Sequence, residues 1–546
     1  MCYKKFMKKF RLLITDNISE EGVKILEQSG DIDIDLKIGI KSEELKDIIG
    51  QYDAIITRSG TSITKETLQN PGKLKIIGRA GVGLDNIDIE EASRKNIIVM
   101  NAPTGNTIAA TELTFALILG AARKVHEANN SVKRREWDRK RFLGIQLYDK
   151  TIGIIGLGRI GSNVALRAKS FGMKILAYDP YIKREKALSL GVTLLDSLDE
   201  LLTQADVVTI HTPLTEETHK MIKKEQLSRM KSKAILVNCA RGAIVDEDDL
   251  YEALLNKRLF SAALDVFEKE PPKENKLLTL ENLLVTPHIG ANTEEGQKGV
   301  AVIIAEQIVN ALHGKAYVNT VNLPFIKSLL PKQFQLYFEL IEKMGKLAAQ
   351  IVRGRTEEIR VQYVGNIFEE DITEHVFDSP LHYQPLTIAA IKGFLEVILK
   401  EAITYMNAPF YAKDRHVAIY ESKTKDYERF TDIVFLFIKT DKEEKIIGGT
   451  VLNDEIPRIV VFDKFHLDII PQGTYLYFRN YDRPGVIGRV GTLLGVNNIN
   501  IAGFELSRIK SGEAVAFVSV DNKLQKKVLD EILNIDGIIE AKVIEF

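Results

Sequence analysis

Short apolar runs separated by amphipathic stretches dominate the first hundred positions. "RLLIT" (11–15), "DIDIDL" (31–36), "AIITR" (54–58), "LKIIGRAG" (74–81) and "NIIVMNAP" (96–103) read as strands. Segments between them, such as "SEEGVKILEQSG" (19–30), carry helical patterns, with Ser19 placed to cap the helix and Gly30 to stop it. Strands alternating with helices imply βαβ units and a parallel sheet. A long apolar helix is expected over about 106–128, leading into the charged segment "VKRREWDRKRF" (132–142). The alternation then restarts with "TIGIIG" (151–156), "KILAYD" (174–179), "VTL" (192–194), "VVTIHTP" (207–213), "AILVNCA" (234–240), "SAALDVF" (261–267) and "LLVTPH" (283–288). This second series is more apolar, as expected of strands covered on both faces.

Another helical pattern spans 291–312, followed by "VNLP" (321–324). From 330 to 465 strand and helix signals mix without phosphate-loop glycines, and the remainder reads strand–helix–strand–strand–helix–strand from "TYLYFRN" to "IIEAKVIEF". That last order is the ferredoxin-like βαββαβ arrangement. The expected fold class is therefore α/β: two Rossmann-like, doubly wound parallel-sheet units, then an α+β unit, then a βαββαβ unit.

One break in the pattern carries chemistry. The strand at 152–155 runs into Gly156, Gly158 and Gly161, and a helix follows. In a G-x-G-x-x-G turn the first glycine permits the tight bend. The second lets backbone N–H groups approach a pyrophosphate, and the third packs helix against strand. The anion sits at the helix N-terminus, where unpaired N–H groups and the dipole favour negative charge. "KILAYD" ends in Asp179, at the offset where a carboxylate accepts from a ribose 2′-hydroxyl and repels a 2′-phosphate, so NAD is favoured over NADP.

Composition narrows the remaining classes. At 546 residues the chain exceeds one core, and its 45% hydrophobic and 27% charged residues are ordinary for a globular protein. Lys plus Arg (74) nearly balances Asp plus Glu (75), which gives no global case for nucleic acid or an anionic membrane. Cys2 and Cys239 are the two cysteines, so no disulfide framework or cysteine-based metal site is expected, in keeping with a reducing cytoplasm. The basic start "MCYKKFMKKF" lacks the apolar core of a secretory signal, and "LTFALILGAA" (113–122) falls short of the ~20 residues that span a bilayer.

Hydride transfer from an alcohol needs a base for the hydroxyl proton and a cation for the substrate carboxylate. Arg241 follows one apolar strand of the second series, Asp265 and Glu270 another, and His288 a third, with Gly290 opening the loop beyond it. Ligands of doubly wound sheets bind at this carboxyl edge. A histidine paired with a carboxylate can take a proton near neutral pH, and an arginine can grip a carboxylate through two hydrogen bonds.

"GLGRIG", "HTPLTEETHKMI", "NCARGAIVDEDDL", "ALDVFEKEPP" and "TPHIGANTEE", in that order, resemble the D-isomer-specific 2-hydroxyacid dehydrogenase family. The whole chain is similar to its long branch, whose members oxidise 3-phospho-D-glycerate with NAD to 3-phosphohydroxypyruvate at the start of L-serine synthesis. The resemblance implies that His288 is the acid/base, Glu270 its partner, and Arg241 the residue that orients the substrate. It implies NAD contacts from Gly156, Gly158, Arg159, Ile160, Gly161, Asp179, Thr212, Cys239, Ala240, Arg241, Asp265, His288, Gly290 and Ala291. It divides the chain into a substrate domain (1–105 and 291–325), an inserted NAD-binding domain (106–290), an intervening domain (330–465) and an ACT domain (473–546).

Arg58 and Arg79 are the candidates for the substrate phosphate, with Arg139 and Arg141 reaching over from a second subunit. The tail around "FRNYDRPGVIGRVG" resembles the ACT domain, a small-molecule sensor, and the positions matching a serine site are Asn480, Asp482 and Asn500. No metal is implied; a cytoplasmic homotetramer is. Two other readings stay open: a dehydrogenase for an unphosphorylated 2-hydroxy acid, and an NAD-sensing corepressor. The C-terminal extension and Arg58 with Arg79 argue against the first, and the appended intervening and ACT domains against the second.

Overall fold

The computed structural model describes residues 9–325, 330–368, 383–399, 401–424, 429–453 and 455–546. Strands Phe10–Ile14 (β1), Ile32–Leu36 (β2), Ala54–Thr57 (β3), Ile76–Arg79 (β4) and Ile98–Asn101 (β5) form a parallel sheet in the order β2-β1-β3-β4-β5. Helix Glu294–Leu312 returns from far along the chain to cover it. Val300, Ile304, Ala305 and Ile308 share a buried core with Leu12, Ile14, Ala54, Ile56 and Ile76. The approach is close: a Cβ on Gly22 would lie 2.8 Å from the carbonyl oxygen of Ala301. Ser19 does precede a helix, Glu20–Gln28, but its hydroxyl makes no capping bond.

The apolar helix expected over 106–128 is two helices, Thr107–Ala122 and Val125–Lys133. Lys124 between them has φ +52°, the left-handed region. The reason is tertiary: Ile145 N–H donates to the carbonyl of Ala122 at 2.9 Å, where a continuing helix would have placed its own donor. No local residue signals that crossing.

The second sheet holds Thr151–Ile155 (β6), Lys174–Tyr178 (β7), Thr193–Leu195 (β8), Val207–Ile210 (β9), Ile235–Asn238 (β10), Ser261–Leu264 (β11) and Leu283–Val285 (β12). All its pairings are parallel and the order is β12-β11-β10-β9-β6-β7-β8. The chain winds outward in both directions from β6. That reversal opens a crevice at the carboxyl edge between β6 and β9, the ligand position of such sheets.

Beyond residue 330, Thr356–Val364 (β13), Ala418–Thr424 (β14), Ile433–Thr440 (β15), Glu444–Leu452 (β16), Ile456–Phe462 (β17) and Phe465–Ile469 (β18) form a sheet ordered β14-β13-β15-β16-β17-β18. Helices Lys332–Ile351 and Pro385–Ile398 cross against each other; a Cβ on Gly345 or on Gly393 would strike the other helix's backbone.

The last unit orders Thr474–Tyr481 (β19), Ile501–Arg508 (β20), Glu513–Val520 (β21) and Ile538–Glu545 (β22) as β20-β21-β19-β22, all antiparallel. Its two inner strands, β19 and β21, bury both faces. Leu476, Phe478, Ala516 and Val518 pack under its own helices, whereas Tyr475, Tyr477, Val515 and Phe517 join Phe462 in the core of the preceding unit. Among the described residues no helix is long and apolar enough to cross a membrane, and no cluster of His, Cys, Asp or Glu could hold a metal ion.

Candidate active site

Sheet order alone lines up the candidates. Asp179 follows β7, the glycine turn follows β6, Thr212 follows β9, Cys239–Arg241 follow β10, Asp265–Glu270 follow β11 and His288 follows β12. All leave the same edge, on strands spaced ~4.8 Å apart.

The glycine turn has the geometry its residues predict. Gly156 has φ +89°, and a Cβ there would lie 2.7 Å from the carbonyl oxygen of His211. A Cβ on Gly161 would collide with the carbonyl oxygen of Gly156, so the third glycine closes helix Arg159–Ser170 onto the strand. Around Gly158 lies open space. Asp179 accepts from the N–H of Leu157 at 2.8 Å and of Tyr181 at 3.0 Å, anchoring its carboxylate beside the turn. Thr212 keeps a buried hydroxyl without a partner beside Gly156. Open space at the helix N-terminus, an anchored carboxylate and an orphaned hydroxyl in one line fit a dinucleotide. Arg159 and Ile160 begin that helix; Ala240 and Ala291 stand in the loops after β10 and β12.

The loop carrying His288 is pinned from beneath. Asp265, 1% exposed, accepts from the Thr286 hydroxyl (2.6 Å), Ile289 N–H (2.8 Å) and Gly290 N–H (2.8 Å). His288 N–H donates to the Asp265 carbonyl at 2.8 Å, and His288 itself has φ +53°. Both carboxylate oxygens of Asp265 are thus turned into this loop. The ring Nδ1 of His288 lies 2.7 Å from Glu270 Oε2, and Glu270 Oε1 accepts from Phe267 N–H at 3.0 Å. With Nδ1–H donated to the carboxylate, Nε2 carries the free lone pair.

Arg241 donates from Nη1 to the Ala240 carbonyl at 2.7 Å and from Nε to Asp85 at 2.9 Å. Asp85 belongs to the turn after β4, so this pair spans the cleft between the first and second sheets. Arg79, at the end of β4, is largely buried, and its Nε has no partner. Burial, with the nearby charge of Arg241, pulls its pKa down to about 10. Arg58 lies close enough to contribute to that repulsion, and donates from Nη1 to the Asn17 carbonyl at 3.0 Å. Three cations therefore converge on one cleft, an arrangement that suits an anion.

Arg141 does not join them. Its Nη2 donates to both carboxylate oxygens of Glu281 at 2.8 Å, and Glu281 precedes β12, at the opposite edge of the sheet from His288. Arg139 begins the same short 3₁₀ turn. Within one chain, then, neither stands at the edge that carries His288. Burial favours the uncharged form of two other motif residues. Burial pushes the Cys239 thiol up to about 12 and His211 down to about 3. Asp85 and Asn238 were not singled out by the motifs. Buried Asn238 accepts from Ala240 N–H (3.0 Å) and donates to the Arg241 carbonyl (2.8 Å), shaping the arginine loop. A polar residue ending an all-apolar strand was its signal.

At the C-terminal end, Asn480 is 2% exposed, donates to the Tyr481 carbonyl at 2.7 Å and keeps Oδ1 unpartnered. Asp482 lies 3.6 Å from Arg508. Asn500 donates to Asp521 at 2.7 Å. The three do not meet: Asn480 pairs with Ala514 at one end of β21, whereas Asn500 stands beyond Ile501, which pairs with Val520 at the other.

A doubly wound sheet with this turn, and a carboxylate–histidine pair at the same sheet edge as an arginine, defines an NAD-dependent oxidoreductase of the 2-hydroxy acid class. Residues 115–290 match the D-isomer specific 2-hydroxyacid dehydrogenase, NAD binding domain; 333–463 match the D-3-phosphoglycerate dehydrogenase intervening domain; and 474–537 match the ACT domain. The chain is 43% identical over 537 residues to D-3-phosphoglycerate dehydrogenase of Methanocaldococcus jannaschii, covering 98% of this chain and 99% of that one. It is 42% identical to the protein of that name from Archaeoglobus fulgidus, covering 98% and 100%. A solved D-lactate dehydrogenase from Aquifex aeolicus, complexed with NAD and lactic acid, is 32% identical with a TM-score of 0.50, over 56% of this chain and 96% of that one. The chain belongs to the D-3-phosphoglycerate dehydrogenase family.

Proposed function

We propose that the protein oxidises 3-phospho-D-glycerate to 3-phosphohydroxypyruvate with NAD, opening L-serine synthesis. The observation that carries this reading is the His288–Glu270 pair, 2.7 Å apart on an Asp265-pinned loop, at the same sheet edge as Arg241. NAD, when bound, accepts the hydride from C2 of the substrate. His288 Nε2 takes the proton of the 2-hydroxyl, and Glu270 stabilises the imidazolium that results. Arg241 holds the substrate carboxylate, and Arg79 with Arg58 receives the phosphate. Asp265 keeps the histidine loop in register, and the orphaned Thr212 hydroxyl and the glycine turn hold the coenzyme.

The test is NADH appearance with 3-phosphoglycerate against unphosphorylated 2-hydroxy acids. Turnover with no preference for the phosphate would overturn the substrate assignment. We assign the ACT unit to L-serine sensing, supported by the unpartnered, buried Asn480 Oδ1; calorimetry without serine heat would remove that role. We further assign a cytoplasmic homotetramer. Exposed Trp137, Leu143 and Tyr148 along the segment that carries Arg139 and Arg141 support subunit contact there. Light scattering at micromolar protein that gives a monomer would refute it.

A further inference from the structure

We infer that Asp85 is a positioning residue for the reaction, a carboxylate from the first sheet unit that sets the guanidinium of Arg241 across the cleft. This rests on the reading of Arg241 as the holder of the substrate carboxylate. Arginine reaches its site on a long, flexible stem, so its planar fork is useful only if something fixes the plane. Here two acceptors do so from opposite sides of the cleft. The Ala240 carbonyl takes Nη1 at 2.7 Å from the arginine's own loop, and Asp85 Oδ2 takes Nε at 2.9 Å from the facing turn. Glycines in that turn leave room for the guanidinium groups. A side chain on Gly83 would collide with Arg241 Nη2, and one on Gly81 would collide with Arg79. With Nε and Nη1 engaged and Nη2 seated against Gly83, the guanidinium plane is fixed.

Asp85 also lies in the field of Arg79, where its charge opposes the repulsion between the two arginines. Its side chain is 58% exposed, so the fold itself does not depend on it. Nothing about its spacing in "GVGLDNID" marks it; only the approach of the two sheets gives it a partner 156 positions away.

The experiment measures the Kd of 3-phosphoglycerate by calorimetry in the presence of NADH, with steady-state KM and kcat, for D85A, D85N, R241A and D85A/R241A. A hydrogen bond to a charged group predicts that D85A weakens 3-phosphoglycerate by about tenfold or more and lowers kcat. The KM for NAD and the melting temperature stay at wild-type values. D85N recovers part of the loss, because its amide oxygen still accepts from Nε. The double variant binds no more weakly than R241A alone, since both changes remove one interaction. An unchanged D85A beside an impaired R241A overturns the inference and leaves the role of Arg241 standing. Tighter binding in D85A would make Asp85 a competitor of the substrate and overturn it too, as would additive losses. An R241A chain that binds like the wild type sinks the reading of Arg241 and this inference with it.

Discussion

The catalytic cleft and the ACT unit both place polar side chains at strand ends, yet one chain assembles only the first set. β10, β11 and β12 run parallel, so the residues following them leave one edge together. Arg241, Glu270 and His288 are neighbours for that reason. In the ACT sheet, β19 and β20 flank β21 and run antiparallel to it, hence parallel to each other. Asn480 closes β19 while Asn500 precedes β20, and a strand's end and a parallel strand's start lie at opposite edges. The difference teaches that one chain does not bring the two asparagines into one site, whereas it brings its acid–base pair together unaided.

The sharpest way to break this contrast is at His288. H288Q should lower kcat by about a thousandfold, the scale of losing a general base, with NAD binding by fluorescence retained. Turnover near the wild-type rate would move the chemistry elsewhere. Next comes the pin under that loop. In D265N an amide faces buried N–H donors, a mismatch worth about 2–3 kcal/mol. Thermal unfolding should show the lower midpoint, and kcat should fall with it. If kcat falls while the midpoint is unmoved, Asp265 acts on the reactants rather than through the loop.

At the sensor end, N480A should abolish the serine heat while leaving kcat within about twofold, because the two sites share no partner. Serine heat that survives in N480A would take the effector away from this end of the ACT sheet. The smallest effect lies at the far end of the first sheet. His313, at the end of helix Glu294–Leu312, places Nδ1 2.7 Å from the Val309 carbonyl and Nε2 2.8 Å from Asp31, and these contacts raise its pKa. A raised folded-state pKa means this stabilisation is complete below the ordinary value near 6.5 and is lost as pH climbs through the raised one. Wild type and H313Q should therefore differ in melting temperature by about 1–2 °C at pH 6 and converge at pH 9. A gap that is constant with pH would assign His313 to packing alone.

Much of this fold is legible in the order of residues. Alternating apolar runs mark the strands of both parallel sheets, because each must be buried on two faces, and the βαββαβ order of the tail follows from its turns. The helix break at Lys124 is not legible, since the group that ends the first helix is Ile145, 23 positions beyond the Ala122 carbonyl it binds. The single-site grouping of Asn480, Asp482 and Asn500 is likewise a matter of strand direction that spacing does not encode.

Taken alone, the sequence determined which residues could do chemistry and which strand each would follow, because hydrophobic periodicity and glycine placement act over a few neighbours. Tertiary structure decided which of them meet. Asp265 became the anchor of a loop, Asp85 the partner of Arg241, and Arg141 the partner of Glu281, since hydrogen bonds and ion pairs act over about 3 Å in space and are blind to distance along the chain.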